Sequence, residues 1–245
     1  MTEDCRVVAI IPARYGSKRF PGKPLAEVGG RPLIHHVVKR AGEAEKIEQV
    51  IVATDDERIM SAVEETSARG VMTSSAHSSG SDRIAAVARN IEADIVVNLQ
   101  GDEPLIKGED LDRGIQRMID NPAQPVVTYR APCPAEEVKN PDVVKVVADK
   151  FDRALYFSRS RLPYCREENV PIYQHVGIYI YRHSYLLKYT SRAPTPLEKA
   201  ESLEQLRVLE NGDGILLVDL EKPTVGIDRP EDVGKVEARL AEAGD

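Results

Sequence analysis

Four cations and no acid fall within one short stretch: Arg14, Lys18, Arg19 and Lys23, in Pro12-Ala13-Arg14-Tyr15-Gly16-Ser17-Lys18-Arg19-Phe20-Pro21-Gly22-Lys23-Pro24-Leu25. Gly16 and Gly22 let main-chain amides approach a ligand closely. Amide donors backed by cations make a cradle for phosphates. A solvated basic loop is the plainer reading of such a stretch. Its place directly after an apolar run, its glycines and the acidity of the rest of the chain favour the cradle. The order of residues is neither the Gly-Lys-Ser/Thr of a P-loop nor the Gly-x-Gly-x-x-Gly of a dinucleotide fingerprint.

Carboxylates come next. Asn98-Leu99-Gln100-Gly101-Asp102-Glu103-Pro104 puts Asp102 just past an apolar run. There it suits a hard cation such as Mg²⁺, which takes one or two protein carboxylates and completes its shell with phosphate oxygens and water. An aspartate at a strand end also caps a helix or makes a turn. Asp228, in Val225-Gly226-Ile227-Asp228-Arg229-Pro230, is a second candidate, and an aspartate before proline and a helix is an ordinary cap. Arg159 offers a planar fork suited to a carboxylate ligand. Taken alone, it reads equally as a surface arginine. His175 and Tyr179 are four apart and share one face of a strand, but Tyr181 shares it too, so core packing explains them as well.

The elements that must position these residues alternate in kind. Val7–Ile11 reads as a buried strand ending at Pro12, followed by a helix over about 31–46. A strand at 49–53 stops at Thr54-Asp55-Asp56, and helices follow over about 56–69 and 81–92. Residues 95–99 form another strand, ending at Gln100-Gly101-Asp102. This alternation predicts a three-layer α/β fold with a mostly parallel sheet, whose ligands sit beyond the carboxyl ends of the strands. The segments after Ile11, Ala53 and Leu99 then face one rim. The chain has nine tyrosines and three phenylalanines, and eight of these twelve lie between Tyr156 and Tyr189. That region reads as antiparallel strands, with 175–181 the clearest. A helix over about 197–210, a strand at 215–218 and a helix over about 230–242 complete the chain. On a helix over 197–210, Glu204 lies on the stripe of Leu197, Ala200 and Val208, and Glu201 falls near the same stripe, so periodicity does not choose between them.

The expected organisation is one domain over 1–245. Its nucleotide-binding core spans about 1–130 and 210–245, and an inserted aromatic-rich subdomain spans about 131–210. The formal charge of −7 argues against a nucleic-acid partner, which calls for a basic face. With 42% hydrophobic and 30% charged residues the chain is a folded one, and no apolar run reaches the roughly 18 residues of a membrane span. Glu3 and Asp4 do not fit a secretion signal, so a cytoplasmic location is expected. Cys5, Cys133 and Cys165 are too few and too scattered for a disulfide framework or zinc cage.

Pro12 to Leu25, Asn98 to Pro104, Ala154-Leu155-Tyr156-Phe157-Ser158-Arg159, His175 to Tyr179, Leu203-Glu204-Gln205-Leu206-Arg207 and Gly226-Ile227-Asp228 together resemble the 3-deoxy-manno-octulosonate (Kdo) cytidylyltransferases, or CMP-Kdo synthetases. The resemblance runs from about Val7 to Val236. The first two segments are shared with other sugar nucleotidyltransferases, and those around Arg159, His175 and Glu204 are far more specific. The resemblance implies the nucleotide-diphospho-sugar transferase fold and the reaction of CTP with Kdo to CMP-Kdo and pyrophosphate. It also implies Mg²⁺ (two ions), a homodimer and a role in lipopolysaccharide biosynthesis. By motif, Pro12, Ala13, Arg14, Arg19 and Lys23 hold the nucleotide and its phosphates, and Gly80 and Arg83 help define the cytosine pocket. Gln100 lies between nucleotide and sugar, Asp102 and Asp228 bind the metal, and Arg19, Lys23 and Asp102 are the catalytic set. Gln100, Arg159, His175, Tyr179, Glu204 and Gln205 line the sugar site; here the resemblance selects Glu204 over Glu201. Lys18 is given no role, and Arg161 either adds charge to the sugar site or faces water. Transfer to 8-amino-Kdo or a sialic acid is the alternative within the class. A binding module without catalysis is the alternative outside it, and it would predict loss of Lys23, Arg19 or Asp102, all of which are present.

Overall fold

A computed structural model of the chain describes residues 5–243 apart from Lys18, Ser78, Glu168 and Asn169. Lys18, whose role the sequence leaves open, Ser78 in the segment before Arg83, and the acidic Glu3 and Asp4 thus lie outside the described residues. In chain order the first elements are β1 (Val7–Ala13), β2 (Glu27–Val28), β3 (Arg31–Pro32), α1 (Leu33–Gly42), β4 (Gln49–Thr54), α2 (Glu57–Glu64), β5 (Arg69–Met72), α3 (Gly80–Ala88), β6 (Ile95–Asn98) and α4 (Gly108–Asp120). Then come β7 (Val126–Pro132), β8 (Lys145–Ala148), β9 (Ala154–Ser158), β10 (Tyr173–Arg182), α5 (His183–Thr190), α6 (Pro196–Glu201), α7 (Leu206–Glu210), β11 (Ile215–Asp219) and α8 (Val233–Ala243). The chain forms two compact units, one of Met1–Ile115 with Thr224–Asp245 and one of Gln116–Pro223.

In the first unit β1 pairs in parallel with β4 on one side and β6 on the other, and β4 pairs in parallel with β5. Val7 through Ile11 are all at most 1% exposed, so both faces of β1 are covered, which is why its sequence is apolar without alternation. Leu33, Ile34, Val37, Val38 and Ala41 of α1, Ile59 and Val63 of α2, and Ile84, Ala85, Val87 and Ala88 of α3 supply buried stripes. Parallel pairing sets the carboxyl ends of β1, β4 and β6 at one rim, in the register Pro12 to Ala53 and Ile10 to Asn98. The expected α/β class and largely parallel sheet are what the structure has.

Several boundaries differ from the sequence expectation, each for a local reason. β1 runs through Pro12 to Ala13, because the missing Pro12 N–H points to the β6 side, where pairing has already ended with Leu99 N–H donating to Ile10 O at 3.3 Å. Residues 31 and 32 belong to a small hairpin, not to α1, since Gly29 and Gly30 both take positive φ and turn β2 back on β3. The expected helix over 56–69 ends at Glu64, and β5 follows as a four-residue edge strand with little alternation to betray it. Helix α3 stops at Ala88 rather than at 92. Helix α4 is absent from the sequence reading, although Leu111, Ile115 and Met118 form a buried stripe among charged neighbours.

In the second unit β7 pairs in parallel with β11 and antiparallel with β10, and β10 and β9 both pair antiparallel with β8. β10 carries an irregularity between Val176 and Tyr179, yet the rings of its inner face stay in line. Phe157 meets His175 edge-on at 5.0 Å, His175 meets Tyr179 at 5.4 Å, and Tyr179, Tyr181, Tyr189 and Tyr185 follow as successive stacks. The expected helix over 197–210 is two short helices, α6 and α7, broken at Ser202, which takes φ +53°. Leu203 N–H donates across the break to Glu198 O at 3.1 Å, a left-handed cap. Glu204 therefore does not lie on the helical stripe of Leu197, Ala200 and Val208. Pro230–Asp232 forms a 3-10 turn ahead of α8, and its cap is Arg229.

Burial among these rings pushes the His175 imidazole down to about 3, so it stays neutral in the fold. An unfolded histidine titrates near 6.5, so between these values the unfolded chain binds one more proton and stability falls as pH falls. Urea unfolding of the parent and of His175→Gln between pH 7 and pH 4.5 is expected to show a flatter loss for the variant, by up to about 1.4 kcal/mol per pH unit. Equal pH slopes would remove His175 from this balance.

Candidate active site

The basic segment after β1 is folded on Tyr15. Its carbonyl accepts from the amides of Ser17 at 2.9 Å and Gly22 at 2.8 Å. Gly22 takes φ +73°, and a Cβ there would come within 3.1 Å of the Tyr15 ring, so both conformation and space call for glycine. Arg58 stacks on the other side of this system, its guanidinium 3.4 Å from the centre of the Tyr15 ring, and is itself held by Asp56. The turn from Gly22 into Lys23–Leu25 then delivers Lys23.

Lys23 Nζ donates to Asp102 Oδ2 at 2.6 Å and lies 3.7 Å from Asp228 Oδ1, with only 14% of its side chain exposed. Arg19 Nη2 donates to the same Asp228 oxygen at 3.0 Å. Four residues predicted from sequence, separated by as many as 209 positions, thus form one cluster at the strand rim. Asp228 is not a cap. Asp232 accepts the amides of Asp228 and Arg229, which frees the Asp228 carboxylate for Arg19 and Lys23. The tail reaches this place because Ile227 N–H donates to Asp102 O at 3.0 Å, and because Gly226 has no Cβ, which would lie 3.1 Å from that same oxygen.

Glu103, which the sequence reading passed over, completes the cluster. Burial, and then the charge of Asp102, push its carboxyl up to about 8 against a hydrogen bond with Thr224. Its Oε2 is buried without a hydrogen-bond partner among the described residues. The signal was present in the adjacent acids Asp102 and Glu103, since two neighbouring carboxylates beside a buried strand do not both stay charged cheaply.

A second group lies alongside. A Cβ on Gly80 would touch Pro12 Cγ at 3.5 Å and Gln100 Oε1 at 3.6 Å, so these three predicted residues adjoin one another. Gln100 Nε2 donates to Asn98 Oδ1 at 2.7 Å, which orients the amide. Ala13 is buried at the end of β1, and Arg14 is exposed just beyond it. Arg83 is 3% exposed, paired with Asp55 at 2.8 Å and bonded to Thr73 Oγ1, so its charge is already met.

The remaining predicted residues belong to the second unit. The Arg159 side chain donates to three main-chain carbonyls, from Nε to Glu201 at 2.8 Å, from Nη1 to Pro141 at 3.0 Å and from Nη2 to Ser202 at 3.4 Å. Of its five N–H groups, two make no hydrogen bond among the described residues. Arg161 is exposed. His175 Nε2 lies 2.9 Å from Thr128 Oγ1, whose single hydrogen is directed to Ile178 O at 2.7 Å. The imidazole must therefore carry its proton on Nε2 and leave Nδ1 as an acceptor. Burial also holds the Tyr179 hydroxyl protonated. Glu204 and Gln205 lie in the break between α6 and α7, where Tyr189 Oη donates to Glu204 O at 2.9 Å and Gln205 is 5% exposed. The structure therefore brings together Arg19, Lys23, Asp102 and Asp228, and separately Pro12, Gly80 and Gln100, in the first unit; in the second it joins His175 with Tyr179 and ties Arg159 to the α6–α7 break that holds Glu204 and Gln205.

Among the described residues no three His, Cys, Asp or Glu side chains gather as a metal cage. A Mg²⁺ ion carried by a triphosphate needs only one or two carboxylates. Asp102 and Asp228, both within 3.7 Å of one ammonium and both partly exposed, match that donor set.

Comparison with known proteins gives the family and the fold. The cytidylyltransferase family profile matches residues 8–220. A 3-deoxy-manno-octulosonate cytidylyltransferase of Geobacter metallireducens is 45% identical over 96% of this chain and 98% of its own. One from Bdellovibrio bacteriovorus is 43% identical over 98% and 99%. A solved CMP:2-keto-3-deoxy-manno-octonic acid synthetase complexed with CTP superposes with a TM-score of 0.93 at 44% identity, covering 97% of this chain and 99% of that one. A 4-diphosphocytidyl-2C-methyl-D-erythritol synthase from Anaerococcus prevotii, at 16% identity and a TM-score of 0.65, shares the fold. The chain belongs to the 3-deoxy-manno-octulosonate cytidylyltransferase family.

Proposed function

We propose that this chain transfers the cytidylyl group of CTP to the anomeric hydroxyl of Kdo. The hydroxyl oxygen bonds to the α-phosphorus and releases its proton to water, the bond from that phosphorus to the β-phosphate oxygen breaks, and pyrophosphate leaves. The observation that carries the reading is the cluster of Lys23, Arg19, Asp102 and Asp228 at the rim of the parallel strands. The names of full-length relatives at 41–45% identity support Kdo as acceptor.

In this reading the segment after β1 takes the triphosphate. Lys23 and Arg19 exchange their carboxylate partners for phosphate oxygens and neutralise charge on the leaving pyrophosphate. Pro12, Ala13, Arg14, Gly80 and Gln100 hold the nucleoside, and Arg83, already paired with Asp55, braces the cytosine pocket from behind. Asp102 and Asp228 hold Mg²⁺, which when bound supplies charge neutralisation and favours ionisation of the attacking hydroxyl. Arg159 takes the sugar's carboxylate, while neutral His175, through Nδ1, and Tyr179, through its hydroxyl, with Glu204 and Gln205, read its hydroxyls. No side chain is required as general base: orientation and fixed charge carry the reaction. The nucleotide role thus falls to the first unit and sugar recognition to the second, with Gln100 of the first unit between nucleotide and sugar. The product serves lipopolysaccharide biosynthesis in the cytoplasm. The protein works as a homodimer, supported by the exposed Phe151, Leu155, Tyr164, Val170 and Leu197 of the second unit.

Three measurements test this. Pyrophosphate release is expected to be fastest with CTP among CTP, UTP and ATP, and with Kdo among Kdo, its 8-amino analogue and N-acetylneuraminate; preference for another acceptor overturns the assignment. Asp102→Asn is expected to keep its circular dichroism spectrum and lose about a hundredfold or more in turnover. Near-parent turnover would remove Asp102 from the metal site. Sedimentation is expected to give twice the chain mass of 27.1 kDa, and a monomer mass would overturn the dimer.

A further inference from the structure

Lys145 has no side-chain surface that water can reach: it is 0% exposed on β8. A buried lysine is costly, and a leucine or methionine would pack the same position without that cost. Its three N–H groups all go to main-chain carbonyls: Asn140 at 2.8 Å, Val143 at 2.5 Å and Arg159 at 2.8 Å. The ammonium therefore ties the 140–143 turn to the carbonyl end of residue 159.

The other end of that residue is held as firmly. Glu201 Oε2 accepts from Arg159 N–H at 3.0 Å, while Oε1 accepts from Ser158 Oγ at 2.6 Å. The segments that Lys145 and Glu201 anchor also supply the three carbonyls on the guanidinium, from Pro141, Glu201 and Ser202. Main chain and side chain of Arg159 are thus fixed by one network, and two guanidinium N–H groups are left over. Lys145 and Arg159 are two cations with two carboxylates nearby, Glu201 and Glu137, but neither carboxylate bonds the guanidinium, which among the described residues faces carbonyls only.

We propose that Lys145 and Glu201 are positioning residues for Arg159, aiming its two remaining N–H groups at the carboxylate of the acidic sugar. This rests on the reading of Arg159 as the carboxylate's partner. Neither residue touches substrate. Lys145 adds a second, buried positive charge behind the fork, and Glu201 sets the main chain from which the fork projects.

The test is steady-state kinetics of Lys145→Met, Glu201→Gln, Arg159→Ala and the double variant Arg159→Ala with Glu201→Gln. Lys145→Met and Glu201→Gln are each expected to raise the KM for Kdo about tenfold or more, the scale of a misaimed binding group, with the KM for CTP within about twofold of the parent. With Arg159 already removed, Glu201→Gln is expected to add nothing, because its effect passes through that side chain. If Lys145→Met fails to fold, Glu201→Gln and the double variant decide. Unchanged Kdo KM in Glu201→Gln, equal rises in both KM values, or an additive double variant would overturn the positioning role while leaving Arg159 in place. An unchanged Kdo KM in Arg159→Ala would instead overturn the assignment of Arg159, and the inference with it.

Discussion

One ammonium holds two carboxylates that would otherwise repel each other. Lys23 lies 2.6 Å from Asp102 and 3.7 Å from Asp228, and Arg19 secures Asp228 from another side. With Glu103 the place contains three acids, two of them adjacent in sequence. Two cations do not balance three carboxylates, and the structure settles this through burial: Glu103, raised to about 8, is mostly protonated at neutral pH. Two negative and two positive side chains remain. The protein thus stores a neutral set of four charges at the strand rim, and each can be re-partnered when an anion and a cation arrive together.

Everything that brings these four charges together is ordinary main-chain structure. The apolar run of β1 places its carboxyl end beside those of β4 and β6, because parallel strands share a direction. The Tyr15–Gly22 contact bends the basic segment back, so that Arg19 and Lys23 reach the same rim. The bond from Ile227 N–H to Asp102 O draws in a segment more than a hundred residues downstream. Elsewhere a short break is held with similar economy. Glu198 and Arg207, 9% and 11% exposed, pair across the α6–α7 break, and removing one member of so buried a pair costs about 3–5 kcal/mol. Glu204 and Gln205 sit within the span that this pair closes.

The chemistry was more legible than the geometry that serves it. The clustering of cations between Arg14 and Lys23 and the placing of Asp102 after a buried strand needed only composition and periodicity, as did the α/β alternation. Asp228 was ambiguous, since its sequence neighbours describe a cap equally well; the capping work falls to Asp232, a choice made by the 3-10 turn at Pro230. Glu204 could not be placed by helical angle, because the left-handed Ser202 breaks the helix and serine gives no warning of that conformation. Glu103 was only half legible: the adjacent acids Asp102 and Glu103 signal a charge pair that burial would disfavour, but not which of them is buried. Its protonation depends on burial beneath a tail contributed by Thr224–Asp228, and no local pattern reports a contact over such a distance. Strand β5 was missed because it is short, whereas helix α4 carries a regular buried stripe, Leu111, Ile115 and Met118, that was open to a periodicity reading.

The two units hold their cations in different ways, and the difference suits the ligand proposed for each. Arg19 and Lys23 are paired with carboxylates, so a triphosphate reaching them competes with existing anions, and binding is an exchange of partners. Arg159 is bonded to neutral carbonyls instead, which fix its direction but leave its charge undiminished. A single carboxylate is a weaker anion than a triphosphate and could not afford to displace a resident acid. On the proposed role it would meet a cation already aimed, in a unit that also holds a histidine that burial keeps neutral and a tyrosine, Tyr179, that burial keeps protonated. Polar groups locked in these states discriminate by direction rather than by net charge, as a hydroxyl-rich ligand requires. On the proposed roles, exchangeable charge would serve the nucleotide and fixed direction the sugar by one rule: the strength of the incoming anion decides whether its site can keep a counter-ion.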